Sequence, residues 1–246
     1  TPGQPHKEPF HIPLALALLD AEGRDLPLQL EGESASQGTT RVLELREAEH
    51  TFIFTNIPAR PVPSLLRGFS APVKVNSSES DDDLRFRLAH DRDDFNRWDA
   101  SQTLAIRTLL TLVEARQQGR DWTLPDSFSA AFGQALASTA DSALLAQVLT
   151  LPSETYLAEQ MTVVDVDGIH AARRWVQRTL AERLRESLQT TCEALQGREQ
   201  AGYRMDAAAM GQRALKNVCL DYLMQLDDPD WRARCLAQFH TADNMT

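Results

Sequence analysis

The sequence is poor in cysteine, in positive charge and in the short motifs that carry enzyme chemistry. Its three cysteines (Cys192, Cys219, Cys235) are an odd number, set in separate helical contexts with no C-x-x-C. That argues against a disulfide framework or zinc knuckle and for a reducing compartment, with all three expected as buried small hydrophobes. Lys and Arg number 25 against 35 Asp and Glu, a formal charge of -10 that disfavours nucleic acid as a partner. No apolar run approaches the roughly 20 residues of a membrane span. The first residues, Thr-Pro-Gly-Gln-Pro, show neither an initiator Met nor a signal-peptide pattern, and the chain is expected to be cut from something longer.

The six histidines (His6, His11, His50, His90, His170, His240) never fall into H-E-x-x-H, H-x-H or another close metal-ligand spacing. G-x-S-x-G, G-x-x-x-x-G-K-[ST] and G-x-G-x-x-G are missing too, which removes the direct readings as serine hydrolase, P-loop protein or dinucleotide binder. Asp165-Val-Asp-Gly168 imitates the start of a calcium loop, but position 176, where the bidentate Glu belongs, is Val; a helix cap is expected instead. Asn76-Ser-Ser78 and Asn244-Met-Thr246 match the glycosylation triplet, a pattern short enough to arise by chance.

What is present is 42% hydrophobic sequence, enough to fill a core, in two distinct rhythms. Up to about residue 90 the rhythm is that of strands. Ile-Pro-Leu-Ala-Leu-Ala-Leu-Leu after His11 alternates large and small apolar residues and stops at the turn-forming Asp20-Ala-Glu-Gly23. Similar short words follow at 26–30, 41–45, 51–55, 65–69, 73–75 and 84–88. Prolines at 58, 61, 63 and 72 suit edge or bulged strands. About seven short strands predict an immunoglobulin or fibronectin-III type sandwich, with acidic Ser77-Ser-Glu-Ser-Asp-Asp-Asp83 as a solvated hairpin turn; a calcium site is the alternative, though the stretch lacks the glycine and distal glutamate of an EF-hand loop.

After Asp91-Arg-Asp-Asp94 the period changes to 3.6. A helix carrying Phe95, Trp98, Ala105, Leu109, Leu112 and Val113 on one face, and Leu104, Ile106 and Leu110 on others, is predicted to run to about Gln118, stopped by Gly119. Further helices are expected over 127–137 and 142–150, along the stripe Ile169, Ala172, Val176, Leu180, Leu184, Leu188, Cys192, Leu195, over 206–226, and from Asp230 with Trp231, Cys235 and Leu236. The fold class is therefore multidomain, β then α: a sandwich over residues 1–91, then an α-solenoid-like array over 92–246. The final Asp243-Asn-Met-Thr246 is fit to start another helix, so the array is expected to continue in a longer protein.

One dense polar and aromatic group stands out, His90-Asp-Arg-Asp-Asp-Phe-Asn-Arg-Trp-Asp-Ala100. Its functional reading is a ligand-contacting patch where sandwich meets helices. Its structural reading is a buried interdomain network in which Arg97 and Asp99 pair with neighbouring backbone or side chains and Trp98 plugs the interface. The stripe from Ile169 reads as core, and Arg173, Arg174 and Arg178 as a solvated face.

With this group the sequence resembles a known family. Phe69-Ser-Ala-Pro-Val-Lys74, the group from His90 to Ala100, Leu149-Thr-Leu-Pro-Ser153, Arg213-Ala-Leu-Lys-Asn-Val-Cys-Leu220 and Phe239-His-Thr-Ala-Asp-Asn-Met-Thr246 together resemble the bacterial alanyl aminopeptidase (aminopeptidase N) family of zinc gluzincins. The resemblance implies a β-sandwich and the first part of a helical domain, whose parent holds zinc on H-E-x-x-H and grips the substrate amine with G-[AX]-M-E-N. Neither motif is in this chain. No catalytic, cofactor-binding or metal-ligating residue is therefore assigned, and zinc is expected in the parent alone. The segment is expected to act as a spacer and as part of a helical cover over the active-site chamber, in the cytoplasm. Its partners would be the parent's remaining domains and, through them, peptides; nucleic acid and membrane are not expected. Self-association through an exposed truncated face is a further expectation. The alternative is a free-standing interaction module, which should end in polar capping helices where a segment of a larger protein exposes an apolar face.

Overall fold

In a computed structural model of the chain, the described residues are 3, 8–138, 140–198 and 203–242. They fall into two compact units, 1–100 and 101–246. The β-then-α order expected from the two rhythms is present: three strands, β1 (Ile12–Leu19), β2 (Arg41–Leu45) and β3 (Val62–Leu65), precede nine helices among the described residues. The helices are α1 (Asp81–His90), α2 (Asp94–Gln117), α3 (Asp126–Ala137), α4 (Ser142–Leu149), α5 (Glu154–Ala158), α6 (Val166–Arg183), α7 (Arg185–Arg198), α8 (Ala207–Met224) and α9 (Pro229–Thr241).

In the first unit β1 is the central strand, paired antiparallel to β2 and to β3 in the order β2-β1-β3. Its alternation works as read. Leu16 and Leu18 enter the core with Leu28 and Leu43, and Leu14, Leu26, Phe52, Phe54 and Leu65 pack around them. Ala15, Ala17 and Leu19, on the opposite face, are buried as well. Each fully buried leucine stabilises the fold by about 1.5–3 kcal/mol over its exposed state.

Several words read as strands are not strands. Segments 26–30 and 51–55 stay extended, but Pro27 withholds a donor, and they meet only through single bonds such as Glu31 N to Ile53 O and Thr55 N to Gln29 O, with one bridge at Leu30 and Phe54. Segment 65–69 leaves β3 at once, because Leu66 takes left-handed backbone and starts a 3-10 turn, Arg67–Phe69. Segment 73–75, after Pro72, joins no sheet among the described residues.

The word at 84–88 is not a strand, and the acidic stretch before it is not a hairpin turn. Leu-Arg-Phe-Arg-Leu alternates like a strand, yet it lies inside α1, which buries Leu84, Arg87 and Leu88 at helical spacing. The helix starts where the hairpin was expected. Ser80 caps it by accepting from Asp83 N at 3.1 Å, and Asp83 accepts in return from Ser80 N at 3.2 Å. Asp81, Asp82 and Asp83 then occupy the first turn, where the helix dipole favours anions.

In the second unit the periodicity was a good guide. Gly119 stands just beyond α2 with φ +65, and Ala105, Leu109, Leu112 and Val113 are buried as read. Asp165 caps α6 by accepting from Gly168 N at 2.8 Å, as expected in place of a calcium loop. The long stripe is buried at Ile169, Ala172, Val176, Leu180, Leu188, Cys192 and Leu195, but Leu184 (φ -108, ψ 15) divides it into α6 and α7. Short α5 had no counterpart in the reading, being a single capped turn after Ser153. α8 packs most extensively, against α4 and α7, and Tyr222 on it donates to Leu149 O at 2.7 Å. Gly211 permits the α4 contact, since a Cβ there would stand 2.8 Å from the backbone nitrogen of Ala143. Cys192 and Cys219 are buried as expected; Cys235 is only half-buried. The second glycosylation triplet and the expected helix start at 243–246 lie outside the described residues.

Candidate functional site

The group from His90 to Ala100 is folded around the end of α1 and the start of α2. Asp93 caps α2, its Oδ1 accepting from Asn96 N at 2.9 Å. Asp91 closes α1, its N donating to Arg87 O. Within this turn the side chain of Asp91 is 0% exposed, and it is flanked by two guanidinium groups. Arg67 Nη2 donates to Asp91 Oδ1 at 3.2 Å, and Arg87 Nε lies 3.8 Å from Asp91 Oδ2.

Arg67, 10% exposed, is a hub. It forks onto Asp25 with contacts of 2.8 and 2.7 Å, and its Nε donates to Ser64 Oγ at 2.9 Å. Arg87, 3% exposed, is a second hub. Its Nη1 bonds both oxygens of Glu79 at 2.9 and 3.0 Å, while Nη2 reaches Asn96 and, at 3.4 Å, Asp99. Two arginines thus face four carboxylates: Asp25, Glu79 and Asp91, which are mostly buried, and Asp99, whose side chain is 45% exposed. Burial pushes the Asp91 carboxyl up, against the Asp93 N–H, the Ser64 hydroxyl and both arginines, which favour its charge. At the rim of the network Arg60 forks onto Asp83 and, with the Ser80 hydroxyl, holds that carboxyl below its usual range.

The pairing expected in the structural reading is present, and Trp98 is half-buried. Arg97 Nε donates to Leu88 O at 3.2 Å, Asp99 meets Arg87, and Trp98 packs on Phe95 at 5.8 Å between ring centroids. His90 meets Phe86 at a tilt, 4.7 Å between ring centroids, and closes over Gly23, where a Cβ would stand 2.4 Å from that of His90. Arg92 and Asp94 are exposed. Arg67, Asp25, Ser64, Arg87 and Glu79 were missed in the sequence. Arg87 was findable, since in a helix it shares the face of Leu84, Leu88 and Asp91.

Beside the network the chain takes an uncommon path. Leu66, Gly68 and Phe69 all have positive φ (55, 60 and 54) within four residues. The turn is tied down on every side. Arg67 points in to Asp25 and Asp91, Gly68 N donates to Asp93 Oδ2 at 2.8 Å, Phe69 N to Leu66 O at 2.8 Å, and Ala15 N to Ser70 Oγ at 2.9 Å. Chemically the cluster is a clamp. The raised carboxyl of Asp91 is 0% exposed, while that of Asp99, also raised by burial, is bound to Arg87 at the edge of the cluster. Among the described residues no group of three or more His, Cys, Asp or Glu side chains could hold a metal, so these residues do not fit a zinc ion. No helix among them is long and apolar enough to cross a membrane.

Comparison with known proteins agrees with this architecture. Residues 1–78 match the family model described as a domain of unknown function, DUF3458, with an Ig-like fold, and residues 81–246 match DUF3458_C, with ARM repeats. The chain is 39% identical over all its length to aminopeptidase N of Escherichia coli, of which it covers 28%. It is 37% identical over 94% of its length to aminopeptidase N of Caulobacter vibrioides, of which it covers 25%. Aminopeptidase A of Legionella pneumophila, solved with aspartic acid, superposes at a TM-score of 0.76 with 27% identity, over 96% of this chain and 27% of that one. The chain spans about a quarter of the length of the curated relatives it matches. An Ig-like domain ahead of helical ARM repeats, aligned end to end with part of several bacterial aminopeptidases, establishes that this chain belongs to the DUF3458 C-terminal family and is homologous to a segment of aminopeptidase N.

Proposed function

We propose that this chain is a non-catalytic segment of a zinc-dependent aminopeptidase that removes N-terminal residues from peptides. It serves there as a spacer and as part of the helical cover of the active-site chamber. The observation that carries the reading is identity over the whole chain to aminopeptidase N, of which the chain covers 28%. The clamp around Arg67 and Arg87 supports the spacer role, because it fixes the turn between α1 and α2 through many directional bonds and presents no reactive group. On this reading the first domain runs over residues 1–91 and the helical one from 92. Zinc, the general base and the groups that grip the substrate amine belong to the remainder of the polypeptide, and peptides meet this chain only as part of that whole. A cytoplasmic location is part of the proposal and rests on sparse cysteine usage.

The test mixes the purified chain with the separately expressed remainder of the aminopeptidase, zinc present, and follows hydrolysis of an alanine-linked chromogenic amide. Activity that neither piece shows alone is the expected result. Metal-dependent turnover by the pure chain would overturn the non-catalytic role, and tight binding to an unrelated partner without restored activity would favour a free-standing interaction module.

A further inference from the structure

The left-handed turn spends conformational strain on one visible result. Leu66 and Phe69 are not glycines, and for each the left-handed region costs free energy that must be recovered from the surroundings. The bonds of Arg67, Gly68 and Ser70 hold the turn in place, so the strain is imposed by the network. Its product is the Phe69 ring, 51% exposed, standing out from a buried polar clamp. Phe95 backs the ring at 5.1 Å between centroids, and Trp98 backs Phe95. A ring so braced is pre-organised and loses little freedom on being covered, which is what an interface anchor requires. The polar atoms around it are engaged: Gly68 N with Asp93, Phe69 N with Leu66, and the Arg67 fork with Asp25. What the turn offers a partner is therefore the apolar ring.

We infer that Phe69 is the anchor by which this Ig-like domain docks into an apolar pocket on the remaining part of the aminopeptidase polypeptide. The inference rests on the function proposed above. The occupant is argued from length: the relatives that match this chain over nearly all of it carry about three-quarters of their sequence outside the matched part, so on the function proposed above the same polypeptide supplies the surface that receives the ring.

The experiment measures association of the chain with the separately expressed remainder by titration calorimetry, and unfolding of each variant in urea. Phe69→Gly removes the ring and takes φ near +54 without strain; Phe69→Asn, also tolerant of that region, is the second variant should the first fold poorly. Val42→Ala trims an exposed apolar side chain on β2 as control. The expected result is at least tenfold weaker association for both Phe69 variants, an unfolding midpoint no lower than wild type for Phe69→Gly, and unchanged binding for Val42→Ala. Association within twofold of wild type in a folded Phe69 variant overturns the anchor and leaves the aminopeptidase reading standing. A wild-type chain that does not bind the remainder overturns both. Concentration-dependent dimers of the chain, abolished by Phe69→Gly, overturn this occupant in favour of a second copy.

Discussion

Replacing Arg67 with Met tests the clamp most directly. The thioether keeps most of the buried stem and deletes the fork onto Asp25, the bond to Asp91 and the bond to Ser64. Asp91 is then left 0% exposed with Arg87 Nε, 3.8 Å away, as its nearest cation. Breaking a buried pair by removing one partner costs about 3–5 kcal/mol, since the surviving charge stays desolvated. Arg67 is 10% exposed, so solvent screening takes little from that figure. We expect a loss of about 3 kcal/mol. The comparison is Arg60→Ala: Arg60 also forks onto a carboxylate, Asp83, but is 76% exposed, and Asp83 keeps its bonds to Ser80. Its loss should be a small fraction of that for Arg67. Urea unfolding followed by fluorescence is the assay, in a Trp122→Phe, Trp175→Phe, Trp231→Phe background so that Trp98, the single tryptophan of the first unit, is the reporter. Adding Asp91→Asn to Arg67→Met should recover part of the loss, as coupled neighbours in one network do. A cost for Arg67→Met no larger than for Arg60→Ala would refute the argument.

Acid should separate two carboxylates of the first unit by sign. Asp83 is held below its ordinary 3.8, chiefly by Arg60, so the stability it contributes is present above that value and lost as pH falls through its lower folded pKa; Asp83→Asn should cost less the further the solution is acidified. Asp91 is raised by burial, so its charged form weakens the fold at neutral pH, and wild type should gain on Asp91→Asn as pH falls through the raised pKa toward 3.8; parallel curves from pH 7 to 3 would contradict this. Gly211→Ala should destabilise although alanine is the better helix former by about 0.8–1 kcal/mol, because the new methyl meets the Ala143 backbone; a raised urea midpoint would show that α4 gives way. Burial pushes the Cys219 thiol up to about 12, so an aromatic disulfide reagent should label Cys235 first in the native chain and reach Cys192 and Cys219 only as it unfolds.

The second unit was more legible than the first, for a physical reason. Its longer helices, such as α6 and α8 with 18 residues each, are amphipathic over about five turns, and stripes such as Ile169, Ala172, Val176 and Leu180 repeat often enough to fix the period. The break at Leu184 left no mark, because the apolar spacing runs through it. In the first unit the words are five residues long, and in so short a window Leu-Arg-Phe-Arg-Leu satisfies period 2 and helical spacing alike. The capping pair at Ser80 and Asp83 could have decided between them. The clamp was half legible: the local group from His90 to Ala100 was conspicuous as a string, while Asp25, Ser64 and Arg67 join it only through tertiary folding. Left-handed Leu66 and Phe69 are invisible in sequence, since neither residue type favours that conformation.

A buried carboxylate with a raised pKa beside two arginines is the pattern that marks many active sites, yet here both arginines are themselves buried and the Asp91 side chain is 0% exposed. If the network instead holds the turn, stability and geometry should come apart. Replacing Asp25, Arg67 and Asp91 together (Asp25→Leu, Arg67→Met, Asp91→Leu) removes the charges without leaving one unpaired, and such exchanges are often neutral or stabilising by about 1–4 kcal/mol. The triple variant should therefore recover at least half of the loss seen for Arg67→Met alone. It should not recover the turn, because the fork that draws Arg67 inward while Leu66 and Phe69 stay left-handed is gone. Its association with the remainder of the aminopeptidase should then fall as far as that of Phe69→Gly. A triple variant less stable than the single one would show that the charges are needed for folding itself, and one that is stable and still binds like wild type would separate the clamp from the presentation of Phe69.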